Sequence, residues 1–83
     1  MMLELIGDEI EVEATFSRGK VRPYRFLWRN RPYAVREITY QWQDRVGRAL
    51  LTYFSVTDGV NLFELCFNSE TLHWKLTKVC MDG

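Results

Sequence analysis

Phe26-Leu27-Trp28-Arg29-Asn30-Arg31-Pro32-Tyr33-Ala34-Val35-Arg36-Glu37-Ile38-Thr39-Tyr40-Gln41-Trp42 decides the fold class of this chain. Tyr24, Phe26 and Trp28 alternate with polar or mixed neighbours, and such period-two alternation puts one set of side chains on one face of a strand. Asn30-Arg31 between Trp28 and Tyr33 reads as a tight hairpin turn, because asparagine tolerates the left-handed backbone that these turns require. Arg29 and Arg31 then stand at the hairpin tip. Beyond the turn, Tyr33 and Val35 share one parity while Ile38, Tyr40 and Trp42 share the other. A switch at Arg36-Glu37 is the mark of a β-bulge, which bends a sheet. Val35, Ile38 and Trp42 also fit helical spacing, so a helix over residues 35–45 competes with the strand; Thr39, Tyr40 and the flanking aromatics favour the strand.

Upstream, Ile10, Val12, Ala14 and Phe16 alternate with Glu9, Glu11 and Glu13, the pattern of a half-exposed strand. Gly7-Asp8 reads as a turn before it and Ser17-Arg18-Gly19-Lys20 as a loop after it, with Leu3 to Ile6 open to either a strand or a short helix. Pro23 fits the first position of the next strand. Downstream, Gln43 to Gly47 reads as a loop. Leu50, Thr52, Phe54 and Val56 then alternate with Leu51 and Tyr53, so this strand is apolar on both faces and is placed centrally. Asp58-Gly59 is the strongest hairpin signal in the chain. Phe63, Leu65 and Phe67 follow it, Asn68 to Thr71 turns again, and Leu72, Trp74 and Leu76 form the last clear strand, which Val79, Cys80 and Met81 extend. The expectation is an all-β fold, a small antiparallel barrel or strongly curved meander of five to six strands, formed by residues 1–83 as one domain.

The totals narrow the function classes. The 83 residues are 47% hydrophobic and 14% aromatic, enough apolar surface to fold and unlike the composition of a disordered chain. Cys66 and Cys80 lack a CxxC partner and share the chain with a single histidine, His73, so zinc is not expected. No apolar run reaches membrane-spanning length and the start of the chain lacks a basic leader, which points to a cytoplasmic protein with free thiols. No cofactor motif occurs.

Net charge is zero, but the charges are segregated. Residues 1–17 hold five acids and no base; residues 18–48 hold nine Lys/Arg against Glu37 and Asp44, a balance of +7. Arginines interleaved with aromatics suit phosphates and unpaired bases, so Arg22, Arg25, Arg29, Arg31, Tyr33 and Arg36 are the candidate nucleic-acid-binding residues. The competing reading makes Tyr24, Phe26, Trp28, Tyr33 and Trp42 core residues and pairs the arginines with Glu9, Glu11 and Glu13 across a strand interface. His73 has no nucleophile placed beside it by sequence, and Cys66 reads as a structural thiol. The chain therefore reads as a non-enzymatic binding module, with DNA as the candidate ligand of its basic, aromatic stretch. The alternative is a protein-interaction or self-associating domain, a possible homo-oligomer.

Phe26-x-Trp28-Arg29-x-Arg31-x-Tyr33-x-Val35, then Ile38, Trp42, Tyr53-Phe54-x-Val56, Gly59, Glu64-Leu65 and Trp74-x-Leu76, resembles a family of small bacterial domains of unknown function over residues 20–78. Members occur alone or beside error-prone Y-family DNA polymerase proteins. The resemblance implies an accessory role near DNA repair, with a DNA-repair protein as partner, and carries no active site.

Overall fold

The computed structural model describes residues 2–81. Seven strands run through them: β1 Met2–Ser17, β2 Lys20–Trp28, β3 Arg31–Ala34, β4 Glu37–Val46, β5 Ala49–Thr57, β6 Leu62–Asn68 and β7 Trp74–Met81. All pairs are antiparallel, in one sheet of order β3-β2-β1-β7-β6-β5-β4. The all-β expectation holds, with more strands than the five to six expected.

β1 is the corner of the sheet. Its first part, Met2 to Ile10, pairs with β7, and its second, Glu11 to Ser17, pairs with β2. The turn expected at Gly7-Asp8 is instead a bulge inside this one long strand, where the register shifts between Leu5 and Asp8. Gly7 takes φ +96°, a conformation that a side chain resists, so glycine is what lets β1 bend without breaking. Pro23 likewise lies inside β2 rather than at its start, beside a second bulge where Glu13 faces Arg25 and Ala14 faces Pro23, leaving Tyr24 as the extra residue. Bulges are where a strand interior accepts proline.

The stretch Tyr33 to Trp42 is neither one strand nor a helix. It splits into β3 and β4, which occupy opposite edges of the sheet although only Val35 and Arg36 separate them. Seven strands laid flat would put the edges ~29 Å apart at ~4.8 Å per strand. Three Cα steps of ~3.8 Å cover at most ~11 Å. The sheet therefore curls until its edges approach, and the connector is bonded to both sides: Val35 N–H donates to Tyr24 O at 3.0 Å and Arg36 N–H to Thr57 O at 2.8 Å.

The expected barrel does not close. Pairing between β2 and the strand opposite stops at Tyr24, one residue from Pro23, which has no N–H to contribute to a ladder. A further register shift between Ile38 and Tyr40 turns β4 away. β4 continues through Val46, where the sequence suggested a loop, and β5 lies one strand in from this edge.

The concave face holds the core. Phe54, Val56, Leu65 and Leu76 are wholly buried, with Phe26, Phe63 and Val79 nearly so and Ile10, Trp28, Phe67 and Trp74 closing the ends. Ile10, Phe26, Trp28, Phe63, Leu65, Phe67, Trp74 and Leu76 carry the expected parity; Phe54 and Val56 are the inward set of the doubly apolar β5, and Val79 turns inward past a register shift between Glu64 and Leu65. Phe16, Tyr24 and Leu72 depart from the expected parity and are exposed; Leu72 takes φ 63° in the β6–β7 turn, and β7 begins only at Trp74. Asn68 shapes that turn, its Oδ1 accepting the N–H groups of Glu70 and Thr71 at 2.8 and 3.2 Å.

Candidate nucleic-acid interface

The β2–β3 hairpin tip is built by Arg29 and Asn30 at φ 51° and 63°, the successive left-handed residues of a two-residue hairpin loop. This turn folds the Arg29 guanidinium back over the Trp28 ring, 4.6 Å from its centroid, and leaves Nε 3.7 Å from Asp8 Oδ2. The same carboxylate oxygen accepts the Trp28 Nε1–H at 2.9 Å. Arg29 is therefore held by two partners. Arg31, one residue past the tip, is exposed and joins no ion pair among the described residues.

Along the outward face of β2, Arg25 stands opposite Glu13 and pairs with it at 3.3 Å. Both side chains are about half exposed, so the pair contributes at most ~1 kcal/mol. Arg22 stands opposite Thr15 and has no carboxylate partner among the described residues. Arg36 lies in the β3–β4 connector with its guanidinium against Gly59 of the β5–β6 turn. Tyr33 faces inward: its ring stacks on Phe26 at 5.2 Å and 14°, and approaches Phe63 at 5.1 Å.

Of the candidate residues, the fold gathers Arg29 and Arg31 at one end of β2, strings Arg25 and Arg22 along its outer face, and sets Arg36 on the connector. Tyr33 is on the opposite face from Arg25. Of the described candidate arginines, neutralisation by a carboxylate reaches Arg25 and Arg29, because β1 and β2 run antiparallel and the glutamates end at Glu13, before the register reaches Arg22 and Lys20.

Two features were missed in the sequence. Arg18 and Lys20 flank the β1–β2 turn and, with Arg22, line an open cleft of about 610 Å³ where β2 and β4 fail to pair; Thr15, Ser17 and Gln41 supply its other polar groups. The signal was present in the basic composition of residues 18–22, but only the unclosed seam turns it into a groove. The second is an aromatic row on the convex face. Beyond the shift at Thr39, Tyr40 and Trp42 point outward; Trp42 stacks on Tyr53 at 5.1 Å and 5°, and Tyr40 lies 5.5 Å from Trp42. Trp42 is thus not a core residue, and Tyr24 is half exposed.

The convex face also carries a cleft of about 560 Å³ lined by Glu9, Tyr53, Cys66, His73 and Lys75 among others. His73 Nδ1 is 3.3 Å from Glu9 Oε1 and both side chains are exposed. Cys66 is buried beneath Tyr53, and burial pushes the thiol upward, opposed by the Tyr53 hydrogen bond. The Tyr53 hydroxyl is likewise raised, by burial first and then by Cys66. A thiol held in its protonated form is a poor nucleophile. Cys80 is half-buried, and both cysteines are free. Among the described residues no group of three or more His, Cys, Asp or Glu is placed to hold a metal, and no helix is long and apolar enough to cross a membrane.

A family profile described as a domain of unknown function (DUF6504) matches residues 1–50. No curated protein and no solved structure matches the chain.

Proposed function

We propose, from the premise that this chain belongs to the family described as a domain of unknown function (DUF6504), that it is a non-enzymatic binding module for nucleic acid acting in DNA repair. The observation that carries this reading is the absence of ion-pair partners, among the described residues, for Arg18, Lys20, Arg22, Arg31 and Arg36. Cations without a neutralising carboxylate raise the local concentration of phosphate. Tyr24 and Tyr40, at 50% and 66% exposure, are aromatic rings open to stack with unpaired bases. The resemblance to bacterial domains found beside Y-family polymerases supports a repair setting inside the cell.

The test is fluorescence anisotropy of labelled single- and double-stranded DNA against the protein and against an Arg22→Glu, Arg31→Glu variant, at low and moderate salt. Neither arginine has an ion-pair partner among the described residues, so the variant keeps its fold, which circular dichroism checks. The expected result is salt-sensitive binding that the variant weakens at every sequence tested. Equal affinity of both proteins removes the reading.

A second reading, a protein-interaction or self-associating domain, draws on the convex face near Leu3, Leu62 and Cys80, which line one cleft, with Leu3 65% and Leu62 41% exposed. Sedimentation equilibrium of the free protein tests it through concentration-dependent mass.

A further inference from the structure

We propose that the seam between β2 and β4 is a receptor for an extended acidic peptide segment of a partner protein, which adds as a strand and completes the curled sheet. The proposal does not rest on the nucleic-acid reading. Among the described residues, Lys20 to Arg22 of β2 pair only with β1, and β4 pairs only with β5. Two strand edges thus border one cleft, with Val21 and Arg22 on one wall and Ile38 and Gln41 on the other.

An unpaired edge presents alternating N–H donors and C=O acceptors, and a peptide backbone matches both. A DNA backbone carries acceptors but no donors, so it would leave the edge carbonyls unmet. The side chains select the peptide. Arg18, Lys20 and Arg22 line the cleft without a carboxylate partner among the described residues, while Val21 and Ile38 offer an apolar floor. A segment in which acidic and β-branched residues alternate satisfies both at once, because alternation directs its acids to one face and its apolar groups to the other.

The experiment uses the full chain, with isotope labelling for amide hydrogen exchange by NMR. The probes are a short fluorescein-labelled peptide of alternating glutamate and valine, the same peptide N-methylated along its backbone, and an oligothymidylate. The expected result is binding of the unmethylated peptide with slowed exchange of edge amides within Lys20–Arg22 and Ile38–Gln41. Methylation should weaken that binding, and a Lys20→Glu, Arg22→Glu variant should weaken it roughly tenfold or more. The proposal is overturned if the glutamate–valine peptide does not bind or if the methylated peptide binds equally well, which would show charge attraction without strand addition. It is also overturned if only oligothymidylate protects these amides, which would make the seam a nucleic-acid path. Failure of DNA binding in the anisotropy test leaves these outcomes unchanged, so the two proposals fail separately.

Discussion

Trp28 Nε1 donates a 2.9 Å hydrogen bond to Asp8 Oδ2 across twenty residues of sequence, tying the bulge of β1 to the end of β2. Trp28 is 7% exposed, so its indole N–H needs a protein acceptor, and Asp8 provides one at the rim of the core. The same oxygen faces the Arg29 guanidinium at 3.7 Å, so one carboxylate positions both the core edge and the hairpin tip.

Asp8→Ala leaves the indole without its acceptor and is expected to cost about 1–2 kcal/mol in urea unfolding. Asp8→Asn keeps an acceptor oxygen and loses only the attraction to Arg29, so it should cost clearly less. Tryptophan emission followed through the transition checks both. Equal losses for the two variants would show that charge, rather than the hydrogen bond, is what Trp28 depends on.

Gly59 takes φ +102°, and a methyl group there would meet Arg36 Nη1 at 2.9 Å and Cδ at 3.0 Å. Gly59→Ala is therefore expected to destabilise the domain by about 1 kcal/mol or more through backbone strain. Adding Arg36→Ala removes the crowding and leaves the strain. The double variant should thus lose less than the sum of the two single changes, measured as a thermal-unfolding cycle.

Trp42 and Tyr53 stack in parallel at 5.1 Å on the convex face. A double-mutant cycle of Trp42→Ala and Tyr53→Ala is expected to give a coupling of about 0.5–1.5 kcal/mol. A coupling near zero would make the stack incidental to stability.

Cys66 and Tyr53 both titrate above their ordinary values of 9.0 and 10.0, with burial as the leading cause. Because the folded state holds these protons more tightly than the unfolded state, their stabilisation is complete below pH ~9 and is lost as pH rises through the raised folded values. The unfolding free energy should fall from about pH 9 upward, and Cys66→Ala should flatten the early part of that fall. At pH 8, alkylation of Cys66 by iodoacetamide should be slower than that of a free thiol, as read by peptide mass spectrometry.

Removing bulk from the wholly buried Leu65 is expected to be the most costly of these changes, about 2–5 kcal/mol for Leu65→Ala. Chemical unfolding measures it directly. A loss below 1 kcal/mol would mean that the inward parity of β6 is wrong.

Alternation and turn residues by themselves determined that this chain is all β, that Phe63, Leu65 and Leu76 face inward, and that turns fall at Asn30, Gly59 and Asn68. These features are local: a period of two, or a residue that tolerates a left-handed backbone, is complete within a few positions. Only the tertiary structure decided that Tyr33 and Trp42 belong to different edge strands, because the curl that brings the edges together depends on pairings between distant segments. A one-residue shift at Thr39 then sent Trp42 to the convex face, since a slip of one exchanges every later side chain between faces. Partnering of the arginines was decided in the same way. The β1–β2 register set Glu13 beside Arg25 and left Arg22 opposite Thr15, a difference of position along two strands that composition does not contain.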